Sequence, residues 1–314
     1  MQPADGGPPT SWTLRLPRGR RLVLRAGRPQ LVGVLNITPD SFSDGGRYLD
    51  ADAAVAHART MLDAGADLLD LGAESTRPGG GVYGDGAPDV SVEDECRRLL
   101  PVLERLRAQT DAPLSVDTRK PAVARAALAA GADLINDITG LADPAMRALL
   151  AEADCPAIVM HARGGLATMQ RGIHFDRVVD EVRDELMAAT ARARDDGVDP
   201  AQLIVDPGIG FGKTAAHNLL LLRHLDALAV LGHPLFVGAS RKSFIAWLHD
   251  PPADAPPDRR LGGSLAAVGW ALRAGAALLR VHDVFETAQF VRVWNAIDFA
   301  DSAAAAAADD DPRR

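Results

Sequence analysis

Eight short apolar runs recur along this chain, each followed by a stretch of helical pattern, and seven of them end on a polar side chain that can do chemistry. The runs lie near residues 31–35, 67–71, 113–117, 133–136, 157–161, 203–206, 235–239 and 277–281. Helical segments are expected at 51–64, 92–108, 121–130, 144–153, 175–195, 215–231, 263–274 and 284–300. Strict alternation with short returns demands a parallel sheet, because each crossover helix brings the next strand in beside the last with the same direction. Eight such units favour closure into a single (β/α)8 barrel of the TIM type, with an open doubly wound sheet as the alternative.

The ends of the elements support this reading. Pro121 and Pro144 sit where a first helical turn tolerates a missing N–H, and an Ala-Gly-Ala turn at 64–66, 130–132 and 274–276 repeats the same helix-to-strand return. Residues 12–16 and 21–25 alternate apolar and charged side chains around 17–20, which predicts an N-terminal β-hairpin closing the bottom of the barrel. Residues 1–10 and 301–314 lack an apolar face and are expected to be disordered tails, leaving one domain over 11–300. A formal charge of −8 argues against nucleic acid and acidic membranes as partners. Two cysteines without metal-ligand spacing, and no export or membrane-spanning segment, point to reduced thiols in a cytoplasmic protein.

The long, glycine-rich loops are those after strands, at 37–50, 73–91, 162–174, 207–214 and 240–262. In a parallel barrel they share one rim with the polar strand ends. Asp117 and Asp206 close apolar runs there, and a buried carboxylate needs hydrogen-bond donors. Asn136 offers a donor and an acceptor, and Lys242 offers donors. That set suits a planar heterocycle with an aminopyrimidinone edge; for any one of these residues taken singly, capping a helix or bonding a loop is the plainer role. Asn36, Arg77, Arg280 and His282 read as an anion site, since guanidinium forks match phosphate oxygens. Arg77 has the alternative of a solvated loop charge. Arg280 lies inside an apolar run, where a charge needs a partner.

Two phosphate-loop lookalikes are set aside. Gly212, Lys213 and Thr214 end like a nucleotide loop, but Pro207 stands where its first glycine belongs, and Gly208 with Gly210 lacks the third glycine of a dinucleotide loop. Lys213 is therefore read as a residue that shapes the pocket. His57, His174, His217, His224, His233 and His249 show no paired zinc spacing.

These residues fall in segments that resemble the dihydropteroate synthase family of pterin-binding enzymes. The segments are Gly33-Val-Leu-Asn-Ile-Thr-Pro-Asp-Ser-Phe-Ser-Asp-Gly-Gly46, Gly72-Ala-Glu-Ser-Thr-Arg-Pro-Gly79, Ser115-Val-Asp-Thr118, Ile135-Asn-Asp137, Asp206-Pro-Gly-Ile-Gly-Phe-Gly-Lys213, Ser240-Arg-Lys242 and Arg280-Val-His-Asp283, in the family's order from about residue 30 to 300. The resemblance implies condensation of p-aminobenzoate with dihydropterin-CH₂-diphosphate, giving 7,8-dihydropteroate and diphosphate with Mg²⁺ assistance. It implies that Asp117, Asn136, Met160, Asp206, Lys242 and Arg280 hold the pterin, and that Asn36, Arg77, Arg280 and His282 hold diphosphate, Asn36 also serving the metal. Phe42, Thr76, Pro78 and Ser243 would line the p-aminobenzoate slot, with Asp40 and Asp44 taking part in loop closure. Asp117, Lys242, Arg280 and His282 would carry the chemistry. A homodimer through the last helices is also implied, with Trp270, Phe290 and Trp294 as contributors of apolar surface or of core packing.

Three stretches depart from the family pattern. His161-Ala-Arg-Gly164 stands where the family usually has a Met and a Gln, residues 79–88 lengthen the second loop, and 251–257 makes the loop after the seventh strand bulky. The competing functions are a methyltetrahydrofolate-dependent methyltransferase, which would not need Ser75 to Pro78 together with Ser240 to Lys242, and a pterin-binding paralogue without activity.

Overall fold

The structure, a computed structural model, describes residues 8–37, 46–74, 90–164, 172–298 and 300. Within them the strands are β1 (Ser11–Arg15), β2 (Arg21–Arg25), β3 (Gln30–Asn36), β4 (Leu68–Gly72), β5 (Leu114–Asp117), β6 (Leu134–Asp137), β7 (Ala157–Met160), β8 (Leu203–Asp206), β9 (Phe236–Val237) and β10 (Leu278–Val281). The helices are α1 (Gly46–Asp63), α2 (Val92–Arg107), α3 (Pro121–Ala130), α4 (Pro144–Ala153), α5 (Val178–Asp195), α6 (Ala215–Arg223), α7 (Ser243–Ala246), α8 (Leu261–Arg273) and α9 (Val284–Asp298). Strands β3 to β10 form one parallel sheet in the order β8-β7-β6-β5-β4-β3-β10-β9. A parallel bridge between Val205 and Leu235, with the Val205 N–H donating to the Pro234 carbonyl at 3.0 Å, joins its two edges. The sheet is therefore a (β/α)8 barrel rather than an open one.

Strand side chains alternate between two environments, as period-two geometry requires. Leu31, Leu35, Leu69, Leu71, Leu114, Val116, Ile135, Val159, Val205 and Leu279 pack outward in one cluster with the helices. Val32, Leu68, Leu134, Ile158, Ile204, Phe236 and Leu278 point inward near the strand starts and form an apolar floor. Burying each such side chain stabilises by about 1.5–3 kcal/mol.

The predicted hairpin seals that floor. Leu14, Leu16, Leu22 and Leu24 of β1–β2 join the inward cluster from below. Arg18 and Arg20 on its turn reach the fully buried Asp133, which Arg107 also meets at 2.8 Å. Gln202 accepts from the Arg15 N–H at 2.8 Å and donates to the Arg15 carbonyl at 2.7 Å.

Several element limits differ from expectation. Helix α5 begins at Val178 because Arg177 holds an extended φ of −139°. Helix α6 stops at Arg223, where His224 turns to φ −121°, and a 3-10 turn carries the chain over Leu225–Leu231. The long loop after β9 contains α7 and two 3-10 turns begun by Pro252 and Pro257, which proline's fixed φ favours. Helix α1 starts at Gly46, five residues before the expected Ala51. The expected tails, apart from residues 8–10, and the expected site residues Asp40, Phe42, Asp44, Thr76, Arg77 and Pro78 lie outside the described residues.

Candidate active site

Above the apolar floor the inward side chains turn polar. The register places Asn36 beside Gly72, Gly72 beside Asp117, and Asp117 beside Asn136 on four successive strands. Met160 pairs in register with Asp206 on β7 and β8. Lys242 follows β9 as the residue just before α7, while Arg280 sits within β10. Six expected side chains, Asp117, Asn136, Met160, Asp206, Lys242 and Arg280, thus come from six consecutive units to one end of the barrel.

Their bonding centres on a residue that the strand-end reading passed over. Asp70, fully buried in β4, accepts from Arg280 Nε at 2.6 Å and from Asn136 Nδ2 at 3.1 Å. Arg280 extends its second arm to Asp117 at 3.2 Å. The partner that a charge inside an apolar run requires is thus two carboxylates. Asp70 carries the same signal as Arg280, a charge within Leu-Leu-Asp-Leu, and lies two residues before its strand's end. Asp70 Oδ1, Asn136 Oδ1 and Ser115 Oγ have no hydrogen-bond partner among the described residues, although all are buried. Buried polar atoms are nearly always paired in a finished structure, so these oxygens are left to accept from a donor outside the described residues.

Electrostatics agree. Three carboxylates, Asp70, Asp117 and Asp206, stand with Arg280 and Lys242, an acceptor-rich set suited to an N–H-rich guest. Burial pushes the Asp117 carboxyl up to about 7, against the pull of the Arg280 guanidinium and with a further push from Asp70. Burial also raises Asp206, countered chiefly by Lys242. The same loss of water brings the Lys242 ammonium down to about 8, with Asp206 opposing. Lys242 donates to the Ile209 carbonyl and lies 4.6 Å from the centre of the Phe211 ring.

The glycines of the β8–α6 loop are steric requirements. A Cβ on Gly208, whose φ is +65°, would fall 1.9 Å from the His161 carbonyl, and one on Gly210 would meet the Lys242 side chain at 2.9 Å. Gly208 N–H in turn donates to Asp206 Oδ1 at 2.7 Å, so the loop bends back to hold its own carboxylate.

At the outer rim, His282 Nδ1 lies 3.1 Å from Ser240 Oγ, and Arg241 pairs with Asp283. Ser243 is exposed at the start of α7. Asn36, half-buried at the end of β3, stands on the same rim. A second network went unseen in the sequence: Lys120 bonds Glu74 at 3.0 Å and the fully buried Glu95 at 2.5 Å, and Thr118 donates to Glu95 at 2.6 Å. It ties the root of the second long loop to α2 and to the segment just after Asp117.

Comparison with known proteins places this geometry. A family model described as pterin binding enzyme matches residues 32–282. A dihydropteroate synthase of Synechocystis sp. is 44% identical over 283 residues, which are 90% of this chain and 94% of that protein. The solved dihydropteroate synthase of Xanthomonas albilineans with 4-aminobenzoic acid is 46% identical with a TM-score of 0.82, over 92% of this chain and 99% of that one. A structure from the same organism in complex with 7,8-dihydropteroate is 40% identical with a TM-score of 0.74, over 88% and 95% of the two chains.

Proposed function

The chain belongs to the pterin binding enzyme family, and from that premise we propose that its barrel mouth is the active site of a dihydropteroate synthase. It condenses p-aminobenzoate with (7,8-dihydropterin-6-yl)methyl diphosphate, releasing diphosphate, a transferase step of folate synthesis that sulfonamides target. The observation that carries the reading is the set of buried, unpartnered oxygens of Asp70 and Asn136 beside Asp117 and Asp206, all acceptors for the N–H edge of a pterin. Asp117, Asn136, Met160, Asp206 and Lys242 hold the ring, and Arg280 lies against it while reaching the diphosphate with Asn36, Arg77 and His282.

Breaking the bond from the methylene carbon to the diphosphate oxygen leaves a cation delocalised into the ring. Carboxylates fixed near the ring favour that cation over the neutral ring, which is preferential binding of the transition state. The amine nitrogen then bonds the methylene and its proton passes to the departing diphosphate, an S_N1-like course without a covalent enzyme intermediate. Arg280 and His282 stabilise the charge of the departing diphosphate.

Among the described residues no group of three or more His, Cys, Asp or Glu side chains is placed to cage a metal. A divalent ion would take ligands from diphosphate and water, the usual habit of Mg²⁺, and Asn36 is the side chain that would hold it here. When bound it would neutralise the leaving group. Closure of the loops carrying Asp40, Phe42 and Asp44 and Thr76 to Pro78 would complete the p-aminobenzoate slot with Ser243 and exclude water from the cation. The order of binding is then pterin diphosphate first.

The protein works as a homodimer in the cytoplasm. Helices α8 and α9 present Trp270, Phe285, Val293 and Ile297 to solvent. Phe290 and Trp294 instead stack at 5.9 Å and pack on the core. Among the described residues no helix is long and apolar enough to cross a membrane. The deciding experiment is diphosphate release with both substrates present, with and without Mg²⁺; no release above the single-substrate control would reject the function. Sedimentation showing only monomer would reject the dimer.

A further inference from the structure

The Gly208 to Phe211 segment is gripped by two ammonium groups. Lys242 takes the Ile209 carbonyl, and the buried Lys213 takes the carbonyls of Gly208 and Phe211, each at 3.0 Å. Lys213 Nζ also meets His161 Nδ1 at 2.9 Å and the His161 carbonyl at 3.3 Å. Every partner is an acceptor, and a charged lysine has three N–H donors and no lone pair, so this nest is shaped for an ammonium. His161 can accept at Nδ1 only if its proton sits on Nε2, and Nε2 lies 3.0 Å from the Glu185 carboxylate, which selects that tautomer. Arg163 closes the outer end, pairing with Glu181 and Glu185 and lying 4.0 Å from the Phe175 ring centre.

The contacts join the chain just after Met160 on β7 to the chain just after Asp206 on β8. Lys242 spends one of its three N–H donors on the Ile209 carbonyl and must share the rest with the ring, so the segment's own hold comes chiefly from Lys213. Resting on the reading above, we propose that Lys213 is a positioning residue for the pterin pocket, locking the β8–α6 loop onto His161 so that Asp206 and Met160 meet the ring from one fixed frame.

The test uses the full-length enzyme. Lys213→Met keeps the length of the side chain and removes the donors. Calorimetry with pterin diphosphate alone should show affinity weakened roughly tenfold or more, the scale expected when buried acceptors lose their donor. The KM for p-aminobenzoate should stay within about threefold of wild type, on the reasoning that its slot is built elsewhere. If Lys213→Met does not fold, a second pair decides: His161→Asn keeps an acceptor near the Nδ1 position and should bind the pterin substrate within about threefold of wild type, whereas His161→Leu removes it and should lose roughly tenfold. Folded Lys213→Met or His161→Leu binding as tightly as wild type would overturn the proposal. Failure of the wild-type enzyme itself to release diphosphate would instead indict the function on which it rests.

Discussion

Replacing Asp70 by asparagine changes one charge and almost no volume, and it acts where three site residues meet. Asp70 Oδ2 receives both Arg280 Nε at 2.6 Å and Asn136 Nδ2 at 3.1 Å. A hydrogen bond to a charged group contributes about 1.5–3 kcal/mol. Stripping a buried pair of one partner can cost about 3–5 kcal/mol, but Arg280 keeps Asp117 at 3.2 Å and is 21% exposed. The expected loss is therefore about 2–3 kcal/mol, which as misplacement of the Arg280 fork is roughly a 30- to 150-fold fall in kcat/KM. A second effect has a definite sign: the Asp70 charge helps to push the Asp117 carboxyl up, so removing it lowers that pKa and moves the acid limb of the rate profile to lower pH. Diphosphate release measured across pH on the folded Asp70→Asn variant reads both. Turnover within threefold of wild type, or an acid limb moved upward, would refute the argument.

Wild-type kcat/KM should itself be bell-shaped: it rises as Asp117 ionises near 7 and falls as Lys242 loses its proton near 8, with Lys213, weakened by burial to about 7, adding to the alkaline limb. A profile flat from pH 6 to 9 would contradict these assignments. Asp133→Ala strands three guanidiniums at the hairpin latch, two of them partly exposed, and should cost about 3 kcal/mol in denaturant unfolding; a loss below about 1 kcal/mol would show the latch to be ornamental. Gly208→Ala must relieve both a left-handed φ, worth about 1–2 kcal/mol, and a 1.9 Å clash with the His161 carbonyl. Its pterin affinity should drop by about tenfold or more, and wild-type affinity would show that the loop is free to move.

The architecture was legible because short apolar runs alternating with helical stretches, and repeated Ala-Gly-Ala returns, are local signals that tertiary packing did not override. The polar strand ends were legible for a related reason: a parallel barrel sends every strand tip to one rim, so position along the strand stands in for position in space. Asp70 escaped because it sits two residues below the tip, where only its charge within an apolar run marks it. Glu95 escaped because it lies on a helix, where a glutamate ordinarily faces water and nothing local reveals that Lys120 will cover it. Helix limits failed where a side-chain pattern continued past a backbone change, as at His224.

Among the described residues the leucines of β1 and β2 stopper the lower end, which leaves the rim as the way in. Whatever enters must back out the same way, so a finished pteroate blocks the next pterin until it has gone. Loading and emptying are then mutually exclusive events, and the product should compete with the pterin substrate for the free enzyme.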